Sequence, residues 1–204
     1  MVRVGLTGGI ACGKTTIGVM FVELGAYLTL ADQIAHELME PGQAVYREVV
    51  QHFGPAILGP DGNIDRAKLA EAAFGTGRIQ ELNAIVHPAV IARQEEFMDE
   101  VGRRDRRAVA IVEAALIFEA GVASHFDRIV VVTCAPEQRV ERFASRHHLA
   151  REVALAEVER RMAAQWPEEK KVAAADYVID NSGTLEQAFE QATRVYAELK
   201  TAGH

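Results

Sequence analysis

A segment near the start of the chain has the residue types and the spacing of a phosphate-binding loop. Residues 8–15 read GGIACGKT, which matches the pattern GxxxxGK[ST] at every specified position. Such a loop wraps a triphosphate in backbone N–H groups at a helix N-terminus, and its glycines allow the close approach. We expect Lys14 to lie against the β- and γ-phosphates and the Thr15 hydroxyl to bind Mg²⁺. The residues predicted to bind the nucleotide are Gly8, Gly9, Ala11, Cys12, Gly13, Lys14, Thr15 and Thr16.

The segments around this loop predict an α/β fold. Short β-branched apolar runs alternate with longer stretches of helical period, which is typical of a parallel sheet flanked by helices. Runs such as residues 129–132, IVVV, suit strands that are buried on both faces. The predicted strands are residues 2–6, 26–30, 108–113, 128–133 and 177–180.

Two long stretches between predicted strands are expected to be insertions in a single domain. More than seventy residues separate the second and third strands, and they read as helices and turns, far more than a plain crossover needs. We expect a helical acceptor-binding insertion at about 35–104 and a helical lid at about 145–171. The alternative for the second stretch is a solvated amphipathic helix pair. The core would then be residues 1–34, 105–144 and 172–204.

Composition excludes several classes of protein. A hydrophobic fraction of 49% with 25% charged residues, in 204 residues, is ordinary for a soluble globular domain and argues against disorder. No apolar run approaches the length of a membrane span, so we expect no membrane partner. Because the net charge is −7, we expect no general nucleic-acid-binding surface on this chain. Its two cysteines imply no disulfide framework, so we expect a cytoplasmic protein. We expect this protein to be a monomer or a small homo-oligomer.

A set of further motifs extends well beyond the loop and resembles the dephospho-CoA kinase family. These motifs run in the expected order over nearly the whole chain. One departure is Leu30, which stands where the family usually has a first Asp, so that Asp32 is the single carboxylate there. The segments that carry the resemblance are LTGGI at 6–10, LGA at 24–26, LAD at 30–32, IAHEL at 34–38, EPG at 40–42, HP at 87–88, LIFE at 116–119, Arg142, Arg146, RMAAQ at 161–165 and ADYVIDNSG at 175–183.

The resemblance and the strand topology together suggest roles for three acids. Asp32 follows the second predicted strand, and we expect it to bind and deprotonate the acceptor hydroxyl, although an N-cap of a helix starting at Gln33 is the alternative. Glu113 lies at the end of an apolar strand, where an acid that helps to hold Mg²⁺ would lie. The alternative is a strand-end carboxylate with no special role. Glu119 matches a family position near the acceptor, or it caps a loop.

Basic and polar residues complete the predicted site. Arg142 and Arg146 lie one helical turn apart and are expected to neutralise transition-state charge, while Arg161 is expected to bind substrate; surface solvation is the alternative for all three. His87 would contact the acceptor, or it is a structural hydrogen-bonding residue. Asn181 resembles a position beside the adenine of ATP, or it is a turn residue. We expect Cys12 to contribute to the nucleotide-binding loop through its backbone and not through its sulfur. The alternative is a thiol with a redox role.

The resemblance implies a P-loop NTPase fold and one reaction. A kinase of this family uses ATP with Mg²⁺ and transfers the γ-phosphate to the ribose 3′-hydroxyl of dephospho-CoA, giving CoA and ADP in the last step of coenzyme A biosynthesis. ATP and dephospho-CoA are therefore the expected partners. A nucleoside or nucleotide kinase shares the loop, the lid and the insertion, and a non-enzymatic nucleotide-binding switch shares the loop, so both remain alternatives.

Overall fold

Five strands form one sheet in the computed structural model, which describes residues 1–75 and 77–202. The strand order across the sheet is β2-β3-β1-β4-β5, and β1 pairs in parallel with both β3 and β4, as β4 does with β5. The predicted α/β class is confirmed, and each predicted strand is present with ends shifted by at most two residues. The strands are β1 (Val2–Gly8), β2 (Tyr27–Leu30), β3 (Val109–Glu113), β4 (Arg128–Thr133) and β5 (Tyr177–Asp180).

Nine helices accompany the strands in the described part of the chain. They are α1 (Lys14–Glu23), α2 (Ala31–Leu38), α3 (Ala44–Phe53), α4 (Arg66–Phe74), α5 (Ile79–Arg104), α6 (Pro136–His147), α7 (Arg151–Ala163), α8 (Glu168–Ala173) and α9 (Leu185–Ala202). Two single 3-10 turns occur at Pro55–Ile57 and Ala123–His125. No helix in the described ranges is both long enough and apolar enough to cross a membrane.

The main core lies between the sheet and helices α1 and α9. The β-branched runs predict strands buried on both faces, and residues such as Ile111, Val130 and Val132 are indeed fully buried. Ile17 and Phe21 of α1 are fully buried, one helical turn apart on the same face of the helix. Because β1 occupies the centre of this packed sheet, its carboxyl end is a rigid support for the loop that follows it.

The chain divides into two units, which we describe separately: residues 1–28 with 98–204, and residues 29–97. The second unit consists of the last two residues of β2, helices, one 3-10 turn and an isolated bridge between Leu58 and Ile64, over its described residues. It has an apolar core of its own. That core is formed by Ile34, Val45, Val49, Ile57, Leu69, Val86 and Val90.

Local signals explain the helix boundaries of the second unit. Asp65 is the N-cap of α4, and its Oδ1 accepts hydrogen bonds from the backbone N–H groups of Ala67 (2.9 Å) and Lys68 (3.2 Å). Helix α5 is continuous from one unit into the other, and Met98 and Val101 in its last turns are buried. The division therefore falls at residues 29 and 97, compared with the limits of about 35 and 104 expected from sequence.

Candidate active site

The phosphate-binding loop joins the central strand β1 to helix α1. Strand β1 ends at Gly8 and α1 begins at Lys14, with Gly13 as its N-cap in the left-handed region (φ 93°). This cap makes no side-chain hydrogen bond to the first turn of α1, so the helix N-terminus keeps backbone N–H groups that can bind an anion. Ala11 also has a positive φ of 54°, which is uncommon for a residue with a Cβ.

Two glycines of the loop are required by close neighbours. A Cβ at Gly13 would collide with the side-chain amide of Asn181, and its positive φ already disfavours other residues. A Cβ at Gly9 would collide with the guanidinium of Arg139. The loop is therefore packed from behind by polar side chains, which fixes the path of its backbone.

Lys14 lies across the loop that it follows. Its Nζ donates hydrogen bonds to the carbonyl oxygens of Gly8 (3.2 Å) and Gly9 (3.1 Å), and the side chain is half-buried. The ammonium group is thus held on the strand side of the loop, where a phosphate bound to the loop N–H groups would meet its charge.

Thr15 and Glu113, the two predicted metal-related residues, lie side by side. Thr15 Oγ1 donates to Glu113 Oε1 at 2.9 Å, and the parallel register places Glu113 opposite Leu6 at the end of β3. Oxygen donors suit Mg²⁺, which usually keeps several waters and takes one or two protein ligands with phosphate oxygens. No cluster of three or more His, Cys, Asp or Glu that could hold a metal occurs among the described residues. The donor set therefore fits Mg²⁺ bound together with a nucleotide.

Arg142 and Asn181 converge on one carbonyl of the loop. Arg142 Nη1 (3.3 Å) and Asn181 Nδ2 (2.8 Å) both donate to the Cys12 carbonyl oxygen, and Arg142 Nη2 donates to the Asn181 carbonyl oxygen at 2.9 Å. Asn181 is only 4% exposed, so its side chain supports the loop, and its predicted contact with adenine stays a prediction. The Cys12 carbonyl oxygen is therefore the point at which both side chains hold the loop, and a contact of the Cys12 backbone with the nucleotide stays a prediction.

The Cys12 thiol has the environment of a structural cysteine. Burial raises its pKa above the ordinary value, although the positive charges of Lys14 and Arg139 act in the opposite direction. Cys12 and Cys134 are both buried and free. A protonated, buried thiol is a poor nucleophile, so the geometry disfavours the redox alternative for Cys12.

The other two predicted arginines are exposed. Arg146 lies on α6 one turn beyond Arg142. Arg161, on α7, donates from Nε to Glu157 Oε1 at 2.6 Å, and its guanidinium lies 5.4 Å from the centre of the Phe143 ring on α6. Helices α6 and α7 pack through a small apolar cluster that includes Val140, Phe143 and Val158. Both arginines therefore belong to one packed helix pair.

The Glu157 carboxylate gives this helix pair a predicted pH dependence. Hydrogen bonds from Arg160 and Arg161 lower its pKa from 4.5 to about 2. A carboxyl group whose pKa is lower in the folded state stabilises the fold above pH 4.5, and this contribution disappears as the pH falls towards 2. Replacing Glu157 by Gln is expected to lower Tm at pH 7 by about 1–3 °C, the size expected of an exposed ion pair.

Melting curves of the wild-type protein and Glu157→Gln from pH 7 downwards test this dependence. The difference in Tm is expected to be constant above about pH 5 and to shrink at lower pH. A difference that grew on acidification would contradict the assignment.

Glu119 braces the segment after β3 against the start of α8. Its Oε1 accepts a hydrogen bond from the backbone N–H of Trp166 (2.8 Å) and forms an ion pair with Lys171 Nζ (2.9 Å), while Oε2 is buried and has no hydrogen-bond partner among the described residues. Lys171 is only 2% exposed, and the rings of Phe118 and Trp166 stack beside the pair at 5.3 Å. A loop cap is thus the contact seen for Glu119, and its contact with the acceptor stays a prediction.

Replacing Lys171 by Met is expected to lower the free energy of unfolding by about 3 kcal/mol, because the Glu119 carboxylate would remain buried without its cation. Tm should fall by about 6–12 °C for a chain of this size. Urea unfolding and calorimetry measure both quantities. The matched control is Lys170→Met, which removes the exposed neighbouring lysine and should cost less than about 1 kcal/mol.

The double variant Lys171→Met with Glu119→Gln separates charge from packing. It is expected to be more stable than Lys171→Met alone, because no unpaired charge is left. Wild-type stability of Lys171→Met would show that the ion pair contributes nothing.

Asp32 and His87 belong to the unit formed by residues 29–97. Asp32 is exposed in the first turn of α2, where a carboxylate is favoured by the helix dipole. The N-cap of α2 is Leu30 and makes no side-chain hydrogen bond, so the alternative that Asp32 caps a helix starting at Gln33 is wrong. His87 is half-buried in α5, directly before Pro88.

An open groove of about 730 Å³ between α1 and α9 borders the loop helix. Three carboxylates and several apolar side chains line it, so its charge disfavours a triphosphate. The lining residues are Thr16, Val19, Met20, Glu23, Leu185, Glu186, Phe189 and Glu190. Thr16 is exposed at this groove, one residue beyond Thr15.

Two residues around the loop, Arg139 and Lys171, are missing from the set predicted from sequence. Both are almost fully buried and both pair with a glutamate, Arg139 with Glu168 and Lys171 with Glu119. Lysine and arginine are normally exposed, and neither residue belongs to a recognisable motif. No local sequence signal identifies them.

Comparisons with known proteins show the family of this chain. The family model for dephospho-CoA kinase matches residues 2–187. A dephospho-CoA kinase of Aquifex aeolicus (strain VF5) is 40% identical over 200 residues, covering 98% of each chain. Two solved structures are similar: one from Thermus thermophilus (TM-score 0.77, 31% identity, 97% of each chain) and a dephospho-CoA kinase from Campylobacter jejuni (TM-score 0.70, 25% identity, 98% of each chain). The chain therefore belongs to the dephospho-CoA kinase family and is an ATP-dependent kinase.

Proposed function

We propose that this protein transfers the γ-phosphoryl group of ATP to the ribose 3′-hydroxyl of dephospho-CoA, giving CoA and ADP. The observation that carries the proposal is the loop geometry: Lys14 lies across the loop, and Thr15 and Glu113 lie together beside it. A kinase needs phosphate positioning and charge neutralisation more than covalent chemistry, and this arrangement can supply both.

On the nucleotide side, the loop N–H groups bind the phosphates and Lys14 neutralises the β- and γ-oxygens. Thr15 and Glu113 would hold Mg²⁺, Glu113 through a water molecule. When bound, Mg²⁺ supplies charge neutralisation of the phosphate oxygens. Gly8, Gly9, Ala11, Cys12, Gly13 and Thr16 complete the nucleotide site in this proposal, with Asn181 beside the adenine.

Arginines stabilise the transferring group. Arg142 is fixed to the Cys12 and Asn181 carbonyl oxygens, so its charge is preorganised near the phosphates. Arg146 is exposed one turn away, at the start of the predicted lid, and can reorient when α7 closes over the nucleotide, which is the lid movement we propose. The buried contacts of Gln165, Trp166 and Lys171 confine this movement to the part of the predicted lid before them.

On the acceptor side, Asp32 takes the proton of the 3′-hydroxyl as the oxygen attacks the γ-phosphorus. The insertion at about 35–104 covers the acceptor and contributes His87, and Glu119 and Arg161, which lie outside the insertion, are the other substrate-binding residues. This assignment rests on the family resemblance of these positions and on the exposed position of Asp32 in α2.

The decisive experiment is a coupled ADP-release assay with ATP and Mg²⁺, run with dephospho-CoA, with AMP and without acceptor. Release only with dephospho-CoA, with a product heavier by one phosphate in mass analysis, is the expected result. Release with AMP would assign the protein to the nucleotide kinases. Release that needs no acceptor would leave nucleotide hydrolysis as the activity.

The cellular setting follows from the same proposal. We place the protein in the cytoplasm, as a monomer or small homo-oligomer without a nucleic-acid partner. Two free buried thiols fit a reducing compartment, and the net charge of −7 opposes phosphate-backbone binding. Light scattering measures the oligomeric state.

A further inference from the structure

Arg139 lies buried behind the phosphate-binding loop. Its side chain is 2% exposed, and its Nε and Nη2 donate to the Cys134 carbonyl oxygen at 3.4 and 3.2 Å. Nη2 also forms an ion pair with the Glu168 carboxylate in the first turn of α8. These contacts hold the guanidinium in one orientation, with Nη1 left to face the loop.

The Nη1 edge of Arg139 points at Gly9. The space that a Cβ of Gly9 would need is filled by Nη1. Burial raises the pKa of the Cys12 thiol, and the charge of Arg139 opposes this rise, as expected from a nearby cation. A fixed positive charge therefore lies directly behind the backbone that would surround the triphosphate.

Glu168 counterbalances this charge. Burial acts to lower the pKa of Arg139, but the hydrogen bond and the charge of Glu168 outweigh burial and raise the pKa above its usual value. The guanidinium therefore stays protonated. The Glu168 side chain is 30% exposed and can remain hydrated if its partner is removed. Arg139, in contrast, has no such access to water. The two partners therefore have opposite effects on the local electrostatic potential. Arg139 needs Glu168 to balance its buried charge, whereas Glu168 can be balanced by water.

We propose that Arg139 is a positioning residue for ATP: it holds Gly9 in place from behind and adds positive potential at the phosphates, while Glu168 moderates that potential. The proposal rests on ATP binding at the loop, which is part of the proposed function. It predicts effects of opposite sign for the two partners, whereas a purely structural ion pair predicts the same sign for both.

Nucleotide binding measured by calorimetry with ATP and Mg²⁺ tests this prediction. Arg139→Met is expected to raise Kd for ATP about tenfold and to raise KM for ATP similarly with little change in kcat, because it removes the cation that lies behind Gly9. Arg139→Lys keeps the charge and should stay within about threefold of the wild-type Kd. Glu168→Gln should lower Kd about threefold at low salt, since it removes a negative charge near the phosphates.

Controls separate this proposal from folding and from the proposed function. Arg93→Met breaks an exposed ion pair with Glu96 on α5 and should leave Kd unchanged. Equal weakening by Arg139→Met and Glu168→Gln, in proportion to their losses in Tm, would overturn the proposal. If Arg139→Met does not fold, weaker binding by Glu168→Gln alone overturns it. Absence of ATP binding by the wild-type protein would instead refute the proposed nucleotide site.

Discussion

Replacing Asp32 by Asn is expected to lower kcat about 10³-fold, because an amide cannot accept the proton of the attacking hydroxyl. Asn is nearly isosteric and is tolerated in the exposed first turn of α2. ATP affinity should stay within about twofold of wild type, because Asp32 is not part of the phosphate-binding loop. Steady-state kinetics with dephospho-CoA and calorimetric ATP binding measure the two effects.

Glu37→Gln is the matched control for this variant. Glu37 is a second exposed acid on α2, and its Oε1 accepts a hydrogen bond from Gln33, which a glutamine can still do. Its activity should remain within about twofold of wild type. Full activity of Asp32→Asn would remove Asp32 from the role of base, and lost ATP binding would point to a folding defect instead.

The sheet and the loop could be predicted from sequence because their signals are local. A continuous apolar run such as residues 129–132 has one stable arrangement, which is a strand buried on both faces. The glycines and the lysine of the loop are separated by a fixed spacing that only a strand–loop–helix unit satisfies. Neighbouring residues decide both features, so the printed sequence contains what is needed.

The supports behind the loop depend on contacts between distant residues. Asn181 reaches the carbonyl of Cys12 across 169 positions, and nothing within the segment 181–183 indicates more than a turn. Burial of Arg139 and Lys171 depends on Glu168 and Glu119, which pair with them only after α8 has packed. Sequence reasoning expects such side chains in solvent, because an unpaired buried charge is costly.

Helix starts show the same limit on a smaller scale. An Asp beside a predicted strand end is equally suited to a cap and to catalysis, and sequence alone left both for Asp32. The structure starts α2 at Ala31, which makes Leu30 the cap and leaves Asp32 exposed in the first turn. A helix start two residues earlier than Gln33 therefore removes the cap alternative, while the role of Asp32 as a base stays a prediction.

Replacing Lys14 by Met is expected to lower kcat/KM for ATP about 10³-fold, because the ammonium group lies across the loop and is needed most when charge develops on the transferring group. The aliphatic part of methionine fills the same half-buried space, so folding should be retained. The lost hydrogen bonds to the Gly8 and Gly9 carbonyl oxygens leave acceptors that water can reach.

Lys200→Met is the matched control, since Lys200 is also half-buried and its Nζ donates to a backbone carbonyl oxygen, that of Arg107, at 2.8 Å. It should keep wild-type kinetics. A similar loss of kcat/KM in both variants would mean that removing a lysine acts through stability. Near-normal kcat/KM in Lys14→Met would mean that the arginines of α6 neutralise the phosphate charge. The second outcome would transfer the main electrostatic role to Arg142, which is already fixed at the Cys12 carbonyl oxygen.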